Sequence, residues 1–156
     1  MLNLPQLKQL NVSGTCALFS ILNAAPNVDD LIIDFDCLKT LIDDEPTRSL
    51  LRQRIIRLEI RCQMDIQSDS FQRLIDVFYR LTYLCVILEN SKIPMQLSLQ
   101  IILAQSIIKQ LTSIIIGDQI PNEITIDRQW VVDHTSLTMD DMFVVNVING
   151  FLILWK

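Results

Sequence analysis

The residue types that could do chemistry are few in this chain, and they are scattered. The single histidine stands in Asp133-His134-Thr135-Ser136, which contains the residue types of a serine-nucleophile triad. Such triads are assembled from distant segments, and no Gly-x-Ser-x-Gly turn supplies a nucleophile. His134 therefore reads as a polar residue in the turn after a helix. The acid pairs Asp29-Asp30, Asp43-Asp44 and Asp140-Asp141 lack the spacing of a calcium loop and read as solvated charges at loops and helix starts. One histidine with four dispersed cysteines, Cys16, Cys37, Cys62 and Cys85, is not a metal-ligand set. Glycines occur only at 14, 117 and 150, too far apart to cradle a phosphate. The expectation is a protein that is not an enzyme, without catalytic residues, metal or cofactor.

Bulk properties narrow the choice further. The chain has 156 residues, half of them apolar and a fifth charged, which suits one folded domain with a substantial core. Leu and Ile dominate over aromatics, as in stacked layers of branched side chains. A net charge of −5 and a sequence pI near 4.7 argue against nucleic acid, whose phosphates select basic surfaces. The one basic stretch, Arg48 to Arg61, is flanked by acids. Each cysteine has apolar neighbours, where it acts as a small hydrophobe. MLNLPQLKQL lacks a signal-peptide core, and no apolar run is long enough for a membrane span. These features lead to the expectation of a cytoplasmic or nuclear monomer with no membrane contact.

The elements that would position any functional residue follow from an internal repeat. The pattern apolar-x-x-apolar-x-apolar recurs as Leu7/Leu10/Val12, Val28/Leu31/Ile33, Ile55/Leu58/Ile60, Leu81/Leu84/Val86 and Leu111/Ile114/Ile116. The spacings are 21, 27, 26 and 30 residues, in or close to the range of leucine-rich repeats. In each copy the last two positions point to one face of a strand, and stacked copies bury what a single copy could not. The pattern predicts strands near 7–13, 28–34, 55–61, 81–88 and 111–117. Between them Leu18/Ile21/Leu22/Ala25 and Phe71/Leu74/Ile75/Phe78 keep helical spacing. The first stripe ends at Pro26, and Ser68-Asp69-Ser70 would cap the second. Cys37 to Arg54 reads as two short helices, the second opening at Pro46, and Pro94 opens a long buried helix through Ile108.

Residues 122–156 depart from the repeat. Asn122 would cap a helix carrying Ile124, Trp130 and Val131, although Ile124-Thr125-Ile126 also alternates like a strand. Asn149-Gly150 between Phe143–Ile148 and Phe151–Trp155 is a strong hairpin signal. A terminal hairpin would cover the edge of the last repeat. No comparable cap precedes the first strand, which makes the chain read as the C-terminal part of something longer. The expected fold is thus a single α/β domain over 1–156. It is a leucine-rich-repeat-like solenoid, with a curved parallel sheet of about five strands backed by helices and closed by a hairpin. An ordinary α/β sandwich is the alternative.

Strand alternation then defines the face opposite the core, the concave one. It would carry Gln9, Asn11 and Ser13, then Asp30, Ile32 and Asp34, then Arg57, Glu59 and Arg61. Tyr83, Cys85 and Ile87 follow, with Ser113, Ile115 and Gly117 last. In parallel register Asp30 neighbours Arg57, and Asp34 neighbours Arg61, each pair attracting by roughly 0.2–1 kcal/mol. Apolar residues beside an Arg and Tyr cluster have the make-up of an interface core with a polar rim. The candidate partner-binding residues are Asp30, Asp34, Arg57, Glu59, Arg61, Tyr83 and Ile87. The competing reading is a soluble face whose apolar end is covered by a helix or by the tail.

LPQLKQLNV, NVDDLIIDF, RIIRLEIRC and RLTYLCVIL resemble degenerate leucine-rich repeats. IDRQWVVDHT followed by FVVNVINGFLILW is similar to the end of the repeat region in F-box-type leucine-rich-repeat proteins. In that family the F-box docks onto a ubiquitin-ligase scaffold while the repeats hold the substrate. No F-box is visible here, so the resemblance implies only the half that binds a substrate or partner. The expected function is a non-enzymatic interaction module for a protein or peptide, and the substrate-recognition part of a ubiquitin-ligase adaptor is its narrower form. The alternatives are an inhibitor-type repeat protein and an enzyme on a non-repeat α/β sheet with a pocket near His134.

Overall fold

A computed structural model of the chain describes residues 4–14, 17–63, 65–89, 94–104, 106–117 and 125–156. Five strands, β1 (Gln9–Val12), β2 (Asp30–Asp34), β3 (Arg57–Cys62), β4 (Tyr83–Leu88) and β5 (Ser113–Gly117), pair in sequence order and all in parallel. The connections carry α1 (Leu18–Ala24), α2 (Phe35–Leu41), α3 (Glu45–Arg54), α4 (Ser68–Ile75) and α5 (Met95–Leu103). After β5 come α6 (Arg128–His134), β6 (Val144–Ile148) and β7 (Phe151–Trp155). β7 pairs antiparallel with β5, and β6 pairs antiparallel with β7 and forms the outer edge. The result, among the described residues, is an α/β fold with a seven-stranded mixed sheet and six α-helices.

The strands occupy the predicted places, each beginning two residues after the first position of its motif. The leading apolar residues Val28, Ile55, Leu81 and Leu111 lie just before the strands and are buried. The inward pairs Leu31/Ile33, Leu58/Ile60, Leu84/Val86 and Ile114/Ile116 join Leu22, Leu51, Phe71, Leu74 and Ile102 of the helices in one core. Phe71 stacks on Phe35 with ring centroids 6.4 Å apart. α3 is capped by Asp44, whose carboxylate accepts from the Thr47 amide at 3.0 Å. A bond from the Thr47 hydroxyl, and then this one from its amide, lower the carboxyl pKa.

A second periodicity runs through the backbone. The carbonyls of Lys8, Asp29, Ile56 and Thr82 each accept from two consecutive amides of the following copy, those of Asp29/Asp30, Ile56/Arg57, Thr82/Tyr83 and Thr112/Ser113. All four stand one residue after the motif's first apolar position. The residue just before that position repeats a role as well. The side chains of Asn27, Arg54, Arg80 and Gln110 each donate to a carbonyl of the preceding copy, that of Pro5, Leu22, Gln53 and Tyr79 respectively. Lys156, just after β7, does likewise toward Ile108 at 3.2 Å. These polar side chains satisfy carbonyls that the turns would otherwise leave unpaired.

Several local expectations change. The helix opened by Pro94 is not continuous to Ile108. α5 stops at Leu103 and a 3₁₀ helix follows at Ser106–Lys109, and Leu97 stays 45% exposed. Ser68-Asp69-Ser70 does not cap α4, because the cap position is Gln67 and the three residues lie inside the first turn. α2 begins at Phe35 rather than Cys37, and α3 at Glu45, with Pro46 in its first turn. The cap expected at Asn122 and the residue Ile124 lie outside the described residues. The helix that follows is capped by Asp127, which accepts from the Trp130 amide at 2.8 Å. The hairpin forms as expected, with Asn149 at φ 52 and Gly150 at φ 80, the positive angles of a two-residue primed turn.

Candidate functional site on the open face of the sheet

Alternation places the candidate residues in three rows across the sheet. The first is Gln9, Asp30, Arg57, Tyr83 and Ser113, which are consecutive register partners. Its side chains touch in the same order. Gln9 donates to Asp30 at 3.2 Å, and Arg57 Nε lies 3.4 Å from the Asp30 carboxylate. The Arg57 guanidinium also sits 4.2 Å from the centre of the Tyr83 ring. Parallel pairing puts these residues side by side, so each long side chain reaches the next strand. Arg57 is half exposed, so its ion pair contributes about 1 kcal/mol or less to folding. What the row does is hold a guanidinium over an aromatic face, a geometry that survives docking at little further entropy cost.

The second row is Asn11, Ile32, Glu59, Cys85 and Ile115, and the third contains Asp34, Arg61, Ile87 and Gly117. Here one expectation needs correction. Asp34 and Arg61 are register partners as read from the sequence, but Arg61 Nε lies 3.1 Å from Glu59 on its own strand instead. Residues two apart on a strand share a face, so Glu59 competes with the cross-strand acid for the same guanidinium. Cys85 is only 6% exposed. Burial and then the nearby Glu59 charge push its thiol up to about 11, and burial also raises the Tyr83 hydroxyl. Cys62, on the core side, is pushed up to about 12 by burial above all. Both thiols thus stay protonated and inert near neutral pH. Cys37 is half-buried with its thiol 2.8 Å from the Gly14 carbonyl, and Cys16 lies outside the described residues.

The hairpin does not cover the apolar end of this face. It extends the sheet in plane, so Ile87 and Ile115 are followed by Ile153 and Phe151 in the same rows. Gly117 is where the joint is tightest. A Cβ there would come within 2.1 Å of the Phe151 ring, so only glycine lets that ring lie against β5.

Sequence reasoning missed a cleft of about 450 Å³ where β2 and β3 end. It is walled by Phe35 and Leu41 and rimmed by Asp34, Asp36 and Arg61. Asp34 and Arg61 therefore belong both to the open face and to this cleft. The signal was available, because parallel strands leave crevices at their carboxyl ends. The polar residue before each motif was also missed, and its four-fold recurrence could have revealed it.

His134 is the last residue of α6, not a turn residue beyond it. Its Nδ1 is 2.7 Å from the Trp130 carbonyl, and its ring stacks on Trp130 at 4.1 Å. Asp133 accepts from Gln129 at 2.8 Å, so this pair is committed to the helix. Among the described residues no three His, Cys, Asp or Glu side chains gather to hold a metal ion, and no helix is long and apolar enough to cross a membrane.

Comparison of the chain with family models, with curated proteins and with solved structures gives no match.

Proposed function

We propose that this chain is a leucine-rich-repeat-like solenoid that binds a protein or peptide on the concave, open face of its sheet, without catalysing a reaction. The observation that carries the reading is the row Asp30, Arg57 and Tyr83, in which a half-exposed arginine is fixed over an aromatic ring beside half-buried Ile32, Ile87 and Ile115. Arg and Tyr set among apolar neighbours are the residues that most often dominate binding energy at interfaces. The solenoid reading draws support from sequential parallel pairing and from the two hydrogen-bond roles that recur at fixed motif positions. The substrate-recognition half of a ubiquitin-ligase adaptor is the narrower form of the proposal and rests on the motifs that resemble F-box-type repeat proteins.

The test is capture of partners from cell lysate by the parent chain and by an Arg57→Glu, Arg61→Glu, Tyr83→Ala variant whose circular dichroism matches the parent. A protein retained by the parent and lost by the folded variant supports the face as the site. Equal retention by both overturns it.

A further inference from the structure

Apolar exposure is concentrated at one end of the molecule. Among the described residues, ten large hydrophobic side chains are exposed, and six of them, Met139, Met142, Val144, Val147, Ile148 and Phe151, lie within the last strands and their lead-in. β6 reads Val-Val-Asn-Val-Ile. It carries none of the lysines, prolines or inward charges with which edge strands normally discourage pairing.

Among the described residues, no strand pairs with the outer edge of β6. Around the two-residue turn, Ile148 faces Phe151 and Asn146 faces Ile153 in the hydrogen-bonded positions. The N–H and C=O groups of Val145 and Val147 therefore point away from β7, out of the sheet. The chain leading into the strand is tied to α6. The Arg128 guanidinium donates to the carbonyls of Met139, Asp141 and Phe143, and lies 4.1 Å over the Phe143 ring. The edge is thus a positioned one.

We propose that β6 pairs antiparallel with β6 of a second copy, about a two-fold axis at Asn146, joining two seven-stranded sheets into one. The strand is self-complementary in this register. Val145 faces Val147 of the other copy, and their outward groups exchange hydrogen bonds in the two symmetric pairs. Val144 faces Ile148, so apolar meets apolar at both ends. Asn146 faces itself across a non-hydrogen-bonded position, where two amide side chains can bond to each other. The contact is isologous and closes on two copies. It buries the Val144, Val147 and Ile148 side chains, which are 47%, 43% and 49% exposed in a single chain. It replaces the monomer expected from the sequence and uses a strand distant from Arg57, so it stands independently of the binding proposal.

The experiment is sedimentation velocity across a concentration series on the parent, Val147→Lys and Val147→Pro. Lysine opposes a charge to Val145 of the other copy, and proline removes an outward N–H that the β6–β7 ladder does not use. A matching far-ultraviolet circular dichroism spectrum secures the fold of each variant. A parent dimer that becomes monomer in both folded variants is the expected result. Mild oxidation of Asn146→Cys should also give a disulfide-linked dimer, since facing non-hydrogen-bonded residues lie about 4.5 Å apart between Cα atoms. A parent that stays monomeric at its highest soluble concentration would overturn the proposal. So would a dimer indifferent to both substitutions, growth beyond two copies, or no cross-link above that of the parent.

Discussion

The parallel block β1–β5 and the terminal hairpin β6–β7 solve the same problem in different ways. In the block β2 to β5 each have a strand neighbour on both sides, and their inward residues are at or near zero exposure. Apart from Ile32, the block's outward residues are charged or polar over β1–β3, with Arg57 paired to Asp30 and Arg61 to Glu59. The hairpin satisfies the edge of β5 but moves the open edge two strands outward, to β6, where valine and isoleucine are exposed on both faces. Capping a repeat array with a hairpin therefore relocates the edge without abolishing it. The block is built to be stable and to present side chains, whereas the hairpin's outer strand presents backbone.

The sharpest break of this contrast is a matched pair of truncations. Ile60→Ala, at zero exposure in the middle of the block, should cost about 2–5 kcal/mol. Val147→Ala, in a monomeric background such as the Val144→Lys chain, should stay within about 0.5 kcal/mol. Urea denaturation measures both, and similar costs would mean that the two regions do not differ as described. Next comes the stitching between copies. Arg54→Ala leaves the carbonyl of fully buried Leu22 without its donor and should cost about 1–3 kcal/mol by the same measurement. A somewhat smaller loss than at Arg54 is expected at the joint itself. Gly117→Ala forces the Phe151 ring away from β5, and because that ring is 38% exposed it can swing outward. A loss of about 1–2 kcal/mol with increased Phe151 mobility by nuclear magnetic resonance is the expected outcome.

What the sequence disclosed was whatever depends on a short period. Two inward residues per motif specify five strands and their register, so the sequence alone sets Asp30 beside Arg57. Asn149-Gly150 specifies the hairpin because few other residues take positive φ at both places. What stayed hidden depends on choices among equivalent options. Arg61 could reach Asp34 across the sheet or Glu59 along it, and both lie on the same face. After Pro94 apolar residues recur on both sides of Gln105-Ser106, so the pattern reads as one helix although α5 ends at Leu103 and a 3₁₀ helix occupies 106–109. The cap of α4 was misplaced because Ser68, Asp69 and Ser70 are all acceptable caps, and the chain enters the helix one residue before them. The cleft beside Asp34 needed α2 to be placed in space against the ends of β2 and β3, which no periodicity supplies.

The division of labour between block and hairpin is tested most directly by titrating a partner captured by the parent chain against Arg57→Ala and Val147→Lys side by side. Arg57→Ala should weaken binding by about tenfold or more, while Val147→Lys should leave the affinity within about twofold of the parent. Binding that survives Arg57→Ala but fails with Val147→Lys would place the partner on the edge of β6 and contradict the assignment of the open face.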